Sequence, residues 1–415
     1  MAEPVPGREP LGGRSTTEGL RRANTALVLR SLRDHGPASR VELAGRTGLS
    51  KATVGVIVAA LEESGALGDG PTPEPGGGPT RGRPGRPLAL AGEDHVGLGF
   101  ELNVDYVAAC VVDLAGHERL RTTRPVARDD DGLAELGRLA AEVAQTLAGP
   151  GAVGGARVVG ATVAVPGLVR SDERTLAWTP NLSVAGDEPA GTVERALGGR
   201  VETRAGNDAD CAGRAEARHG AARGVAHALY ITGTVGIGAG ILEHGRPLRG
   251  GAGFAGEVGH LPLAGEDAVC GCGRRGCWEA AVGLGAMLAA VGMEELATPT
   301  ASAEAVVGRA AHDEHVRAGL ARLGVSLGRG LAVLATVLDP EVIVLGGYFA
   351  VLGETVLAPA RAALDAQLAA PVQVRPELRP GALGITAAAL GAAERSLEPL
   401  FRGEVALDDV ARHGG

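Results

Sequence analysis

His260, Cys270, Cys272 and Cys277 lie within eighteen residues of one another, His260 closing the run GFAGEVGH and the cysteines following in CGCGRRGCWE. One imidazole and three thiolates are ligand types of tetrahedral zinc. Four protein ligands leave no open position for water, so the chemistry expected is structural Zn2+ binding rather than catalysis. The glycines between the cysteines fit, because a loop that wraps thiolates around an ion needs turns that glycine makes without strain. Buried thiols or a disulfide are the alternative. Three of the five cysteines fall in this run, an odd number for pairing, and the reading of the chain as cytoplasmic favours metal.

A chain of 415 residues must supply elements to hold that cluster, and its length suggests two or three domains. Apolar residues make up 45%, enough for a sizeable core. Glycine is 67 of 415, about twice the usual ~7%, so short glycine patterns carry little weight alone. Lys51 is the single lysine among 40 basic residues, a bias that reads as base composition. The net charge of −9 is unevenly spread: residues 1–90 hold 12 basic against 9 acidic side chains, and the remainder holds 28 against 40. An acidic body repels DNA, whereas a basic N-terminal segment can contact it. The first twenty residues contain Glu3, Glu9 and Glu18 and no apolar run, unlike a signal peptide. The longest apolar helix candidate breaks at Asp339 and Pro340, which predicts no membrane span.

From about Gly19 to Leu67 the pattern is helical. Ala26, Leu27, Leu29 and Leu32 mark a first helix, ended by Gly36 and Pro37. Ser39 and Glu42 form a capping box for a second, which stops near Gly48, and Ser50 caps a third carrying Val54, Ile57, Val58 and Leu61. Three short helices with a glycine turn before the third predict a helix-turn-helix. Its reading residues would be Ser50, Lys51 and Thr53 at the start of the third helix, with Arg40 and Arg46 placed for phosphates. The strip RGRPGRP carries Arg81, Arg83 and Arg86 on a proline-stiffened segment, similar to the core of an AT-hook that lays arginines into a minor groove. Helical protein contacts and a flexible linker are the alternative uses of these two segments. Together they favour double-stranded DNA.

The body alternates strands and helices, which argues α/β. Val96–Val112 and Ala228–Leu242 read as hairpins, Arg157–Val165 and Val342–Leu345 as buried strands, and Leu320–Leu338 as part of a long helix. Two hairpin-led halves suggest a duplicated, two-lobed architecture with a cleft. The expected division is a disordered tail over 1–18, a winged helix-turn-helix domain over 19–70, a basic Gly/Pro-rich wing and linker over 71–92, and a two-lobed body over 93–415.

The His…CxCGxxGC cluster, the stretch Asn207–Asp210 (NDAD), the loop Gly233–Gly240 (GTVGIGAG) and the GFAGEVGH run together resemble the ROK family of sugar kinases and sugar-responsive repressors. With a helix-turn-helix in front, the chain looks like a repressor of that family, of the xylose-repressor type. The resemblance runs from about residue 20 to the end. It implies a hexokinase/actin-like fold of two ribonuclease-H-like lobes with a sugar in the cleft. It implies sugar contacts from Asn207, Asp208, Glu257, His260 and Glu279, with Asn181 as a further one, and Asp208 would be the base in a kinase. Hydroxyl-rich ligands need such convergent carboxylates and amides. A zinc-bound His260 would keep one ring nitrogen free to donate. Asp208 as a simple helix cap is the alternative. Cys110 and Cys211 read as core thiols.

One loop departs from the family pattern. Family kinases open the body with Asp-x-Gly-Gly-Thr, a carboxylate for the metal–nucleotide complex and a small-residue turn for phosphate. Here Glu101, Asn103, Val104 and Asp105 stand in that stretch. A phosphate cradle uses free backbone N–H groups and no nearby anion. The expectation is therefore a cytoplasmic, sugar-controlled DNA-binding repressor without kinase activity, acting as a homodimer or dimer of dimers on a palindromic operator. An active kinase carrying a DNA-binding domain is the alternative, and control by a partner protein or a phosphosugar is a third.

Overall fold

Ser39 and Glu42 close a reciprocal capping box: the Ser39 hydroxyl accepts from the Glu42 amide, and the Glu42 carboxylate accepts from the Ser39 amide at 2.7 Å. In this computed structural model, which describes residues 17–71, 86–127, 131–151, 153–179, 181–182, 184–368 and 375–410, that box starts the second of three helices. They are α1 (Thr17–His35), α2 (Arg40–Thr47) and α3 (Lys51–Glu63). Gly48, at φ 72°, ends α2 in the left-handed region, and the Ser50 hydroxyl accepts from the Thr53 amide to start α3. Leu29, Leu32, Leu43, Val54, Val58 and Leu61 make the core between them. A short antiparallel ribbon follows, β1 (Leu67–Asp69) against β2 (Leu88–Leu90), which is the wing. Arg81 and Arg83 lie outside the described residues. Thr17 and Glu18 already belong to α1, so the helix starts earlier than the expected tail boundary.

The chain forms two compact units, and their boundary departs from the expected one at the C-terminus. Glu398–Ala411 joins the N-terminal unit, while Glu93–Leu397 makes up nearly all of the other. The physical reason is a buried ion pair of 2.8 Å between Arg33 on α1 and Glu398, with the Arg33 guanidinium 4.1 Å from the centre of the Phe401 ring. Periodicity along the sequence carries no sign of a segment that returns across the whole chain.

The larger unit holds two five-stranded sheets. In the first lobe β3 (His95–Leu102), β4 (Tyr106–Asp113) and β5 (Glu118–Pro125) run antiparallel. After α4 (Gly132–Ala148) comes β6 (Arg157–Val165), then a small ribbon of β7 (Leu168–Val169) and β8 (Leu176–Trp178), then α5 (Glu188–Ala196), β9 (Thr203–Asn207) and α6 (Asp208–His219). The sheet order is β5-β4-β3-β6-β9. The second lobe repeats it with β10 (His227–Gly233), β11 (Ile237–Glu243), β12 (Arg246–Pro247), β13 (Val342–Gly347) and β14 (Glu377–Pro380), in the order β12-β11-β10-β13-β14. Its helices are α7 (Glu279–Val282), α8 (Leu284–Val291), α9 (Pro299–Ala310), α10 (Glu314–Leu338), α11 (Tyr348–Leu352), α12 (Glu354–Gln367) and α13 (Ala387–Ser396), and α14 (Glu398–Arg402) returns to the smaller unit. The 25-residue α10 is longer than expected, and long and apolar enough to cross a membrane by length and composition alone. Leu320, Leu323, Leu327 and Leu331 instead bury one face of it in the core of the second lobe.

The two lobes exchange their last helices. α6, which ends the first lobe, packs on β10 and β11 of the second, and α13, which ends the second, packs on β3, β4 and β6 of the first. The two helices also pack on each other, and glycines let the backbones touch. A Cβ at Gly391 would collide with the Cys211 carbonyl, one at Gly99 with the Ala389 carbonyl, and one at Gly240 with the Ala209 carbonyl. Overpacking of a closed core costs about 1–3 kcal/mol or more. Gly391→Ala should therefore lower unfolding stability by about 3 kcal/mol in urea titrations. Gly285→Ala, on an exposed turn of α8 with nothing within 4 Å, should raise it slightly. Equal effects from the two would remove the backbone contact as the cause.

Candidate functional site

The loop between η-turn Val258–His260 and α7 brings the four metal-ligand candidates together. Their ligand atoms all lie within 4.8 Å of one another. The Cys272 and Cys277 sulfurs are 3.8 Å apart, and the Cys270 sulfur is 3.9 Å from His260 Nδ1. A tetrahedron with Zn–S of about 2.3 Å has edges of about 3.8 Å, so the spacing fits an ion and is far too long for a disulfide. Gly273 (φ 85°) and Gly276 (φ 76°) make the left-handed turns that aim the sulfurs inward. With Nδ1 turned to the sulfurs, the other ring nitrogen of His260 lies 3.9 Å from the Glu257 carboxylate.

His260 also lines a cavity of about 90 Å³ in the cleft between the two lobes, together with Asn181, Asn207, Asp208, Glu257 and Glu279. Every one of the six positions expected from sequence reaches it. Asn207, not Asp208, caps α6: its side chain accepts from the Asp210 amide and donates to the Gly167 carbonyl at 3.1 Å. Asp208 is thereby left with its carboxyl in the cavity. Burial pushes that carboxyl up to about 7, with the charge of Glu257 adding to the effect. Burial also raises Glu257, helped by Glu279. Glu279 is anchored by the Ile237 amide at 3.0 Å. Carboxylates aimed at one space, with amides beside them, make a site for a neutral ligand with many hydroxyls.

A second cavity adjoins the first where the departing loop lies, and it holds only about 30 Å³, room for roughly two waters. Glu101, Asn103, Asp105 and Tyr106 line it with Asp208. The Tyr106 hydroxyl and the Asn103 amide both donate to one Glu101 oxygen, and burial pushes the Glu101 carboxyl up to about 8.

Two features escaped the sequence reading. Trp178 lines the larger cavity. Behind Asp208, Glu173 collects three arginines: Arg249 from the second lobe at 2.6 Å, Arg395 from α13 at 3.2 Å and Arg204 from β9 at 3.7 Å. Burial alone would raise Glu173, yet Arg395, Arg249 and Arg204 bring it below the ordinary carboxylate range. No residue spacing announces such a cluster, because its members come from four separate elements.

On the smaller unit Ser50, Lys51 and Thr53 open α3. The Ser50 and Thr53 hydroxyls are 2.8 Å apart and engaged in the cap, and Lys51 is exposed. Arg46 donates to the Gly36 carbonyl at 3.3 Å. Arg40 is paired with Glu62, near the opposite end of α3 from Ser50, at 2.9 Å, and Arg86 pairs with Asp69 across the wing. These two arginines are therefore partly neutralised within the unit.

Residues 98–397 match the family model described as the ROK family, and residues 22–67 match that of a winged helix-turn-helix DNA-binding domain. The chain is 26% identical over 382 residues to the xylose repressor of Bacillus subtilis (strain 168), covering 90% of this chain and 94% of that protein. It is 28% identical over 325 residues to a glucokinase of Streptomyces coelicolor, covering 73% of this chain and 98% of the kinase. A crystal structure of a ROK family transcriptional regulator, a homolog of the E. coli MLC protein, superposes with a TM-score of 0.76 at 24% identity, over 93% of this chain and 98% of that one.

The cluster geometry yields a direct expectation. Protein purified without chelator should carry about one metal ion per chain by elemental analysis, and Cys277→Ser should lose it. Because ligands folded around an ion put binding energy into stability, chelation should lower the melting temperature on the order of 10 °C. Metal-free wild type with an unchanged melting curve would count against the cluster as a metal site.

Proposed function

The chain belongs to the ROK family, and from that premise we infer that it is a sugar-responsive transcriptional repressor that no longer phosphorylates its ligand. One observation carries most of the weight: the likeness to repressors runs through the helix-turn-helix and the body together, whereas the likeness to the glucokinase covers the body alone. The N-terminal turn of α3, with Ser50, Lys51 and Thr53, enters a major groove. Arg40, Arg46 and the wing arginines Arg81, Arg83 and Arg86 meet phosphates or the adjoining minor groove. A homodimer presents two such units to a palindromic operator in the cytoplasm.

In this reading a free sugar occupies the larger cavity, with its hydroxyls on Asn181, Asn207, Asp208, Glu257, His260 and Glu279. The ion held by His260, Cys270, Cys272 and Cys277 is zinc, because imidazole with thiolates in tetrahedral spacing is its preferred set. It stiffens the wall that carries Glu257, His260 and Glu279. The sugar acts on DNA affinity only by binding one lobe arrangement better than another. The covalent route for that signal is short: α13 lies at the lobe junction, and α14, which follows it in the chain, is anchored on α1.

The smaller cavity supports the reading that the chain does not transfer phosphoryl groups. Phosphoryl transfer rests on positioning and on neutralising charge. Glu101 and Asp105 bring carboxyl groups instead, and Tyr106 and Asn103 are committed to Glu101. Incubation with ATP, Mg2+ and a panel of aldoses should give no ADP above blank. The same sugars should raise the melting temperature of wild type and leave Asp208→Ala unchanged. Robust turnover would overturn the non-enzymatic reading, and equal stabilisation of the variant would overturn the ligand site.

A pH dependence follows as well. Asp208, raised to about 7, accepts hydroxyl hydrogen bonds as the carboxylate. Sugar affinity should then be full above pH 7 and fall as the pH drops through that value, by about tenfold at pH 6. Calorimetric titrations at several pH values check this, and in Asp208→Asn the slope should be gone.

A further inference from the structure

Of the two tryptophans in the chain, Trp278 is 1% exposed in the core of the second lobe and Trp178 is 40% exposed. Trp178 ends β8, two residues after the buried Leu176, so the alternation of a strand puts both on the same face. That face is covered at Leu176 and opens onto the cleft at Trp178. The indole lines the larger cavity together with Asp208, Glu257, His260 and Glu279. Its ring centre is 6.1 Å from that of His260, with the planes 49° apart. The polar groups of the cavity can recognise the hydroxyl rim of a ligand. None of them recognises a flat apolar surface.

We propose that Trp178 is a stacking platform for the C–H face of a pyranose ring and selects closed-ring aldoses over open-chain polyols with the same hydroxyl set. This rests on the reading of the cavity as a sugar site. A pyranose with equatorial hydroxyls directs its polar groups outward around the rim and its axial C–H bonds to the two faces. The rim then meets the carboxylates and amides, and the C–H face meets the indole. The negative face of the aromatic quadrupole attracts those slightly positive hydrogens, and close contact adds dispersion over the whole ring. An open-chain polyol offers equal hydroxyls but no rigid apolar face, so it gains nothing from the platform. Selectivity therefore comes from Trp178, and affinity for hydroxyls comes from the polar wall.

The test uses the full-length protein, with D-glucose and D-xylose against sorbitol and xylitol. Binding is measured by calorimetry, and tryptophan emission is followed in parallel. With Trp278 enclosed, ligand contact should shift the emission of Trp178 to shorter wavelength, and Trp178→Phe should lose the shift. Trp178→Ala should weaken aldose binding about tenfold or more, Trp178→Phe about threefold or less, and neither should alter the weak binding of the polyols. Trp178 is exposed, so both variants should melt as wild type does, and the Phe variant keeps a ring in place if the Ala variant does not. Unchanged aldose affinity in Trp178→Ala, with wild type binding aldoses, would sink the platform and spare the sugar site. Failure of wild type to bind any of the aldoses would overturn the sugar site itself, and the platform with it.

Discussion

The architecture depends on the exchange of the two lobe-ending helices. α6 and α13 lie against each other and against the sheet of the opposite lobe, at a distance only backbone-to-backbone contact allows. Side chains at Gly99, Gly240 or Gly391 would hold these layers apart. Because α6 begins at Asp208, the same packing fixes where that carboxyl stands. Its N-terminus opens on the cleft, where the helix dipole favours negative charge. Burial nonetheless dominates, and the carboxyl titrates near neutrality. The two effects oppose each other, and desolvation wins because the group is almost enclosed.

Glu173 gives the exchange an electrostatic partner. It sits in the left-handed backbone region at φ 59°, an uncommon place for a residue with a side chain. Its carbonyl accepts from the Ala205 amide at 2.7 Å while its carboxylate holds Arg204, Arg249 and Arg395. Arg395 also donates to the Ala205 carbonyl at 3.1 Å. A small ribbon of the first lobe, a loop of the second and the exchanged helix α13 thus meet at one carboxylate. A partly buried charge of this kind costs several kcal/mol to strand alone, so the groups that meet there are strongly coupled. Arg249 of the second lobe and Arg395 of α13 thus share one carboxylate of the first lobe.

The fold was legible in sequence wherever periodicity and punctuation agree. The capping box at Ser39 and the left-handed Gly48 mark boundaries because local chemistry alone decides them. The strand Arg157–Val165 was readable for the same reason. The four candidate metal ligands were legible through spacing on one short loop, and the six cavity residues only through the resemblance to the family. The return of Glu398–Ala411 to the smaller unit was not legible, nor was the arginine cluster on Glu173, because both depend on contacts between segments far apart in the chain. Trp178 was hidden for a different reason. A tryptophan on a short strand beside a buried leucine reads as core, and only the opening of the cleft turns it outward. α10 has the length and composition of a membrane helix, yet its leucines lie in the core of the second lobe.

The loop at Glu101 is where the chain departs from the family's phosphate-binding pattern. In a cradle for phosphate the backbone amides must point at an open space with no anion nearby. Glu101 brings a carboxyl that burial keeps largely protonated near neutral pH, against the hydrogen bonds of Tyr106 and Asn103, which favour the carboxylate. Tyr106 and Asn103, from the same hairpin, both donate to one of its oxygens. The space left, about 30 Å³, adjoins Asp208, whose own raised affinity for a proton is increased by other carboxylates around it. Each of these groups favours the next one being neutral. In the proposed reading, a closed phosphate loop and an open site for a neutral ligand would share one electrostatic arrangement.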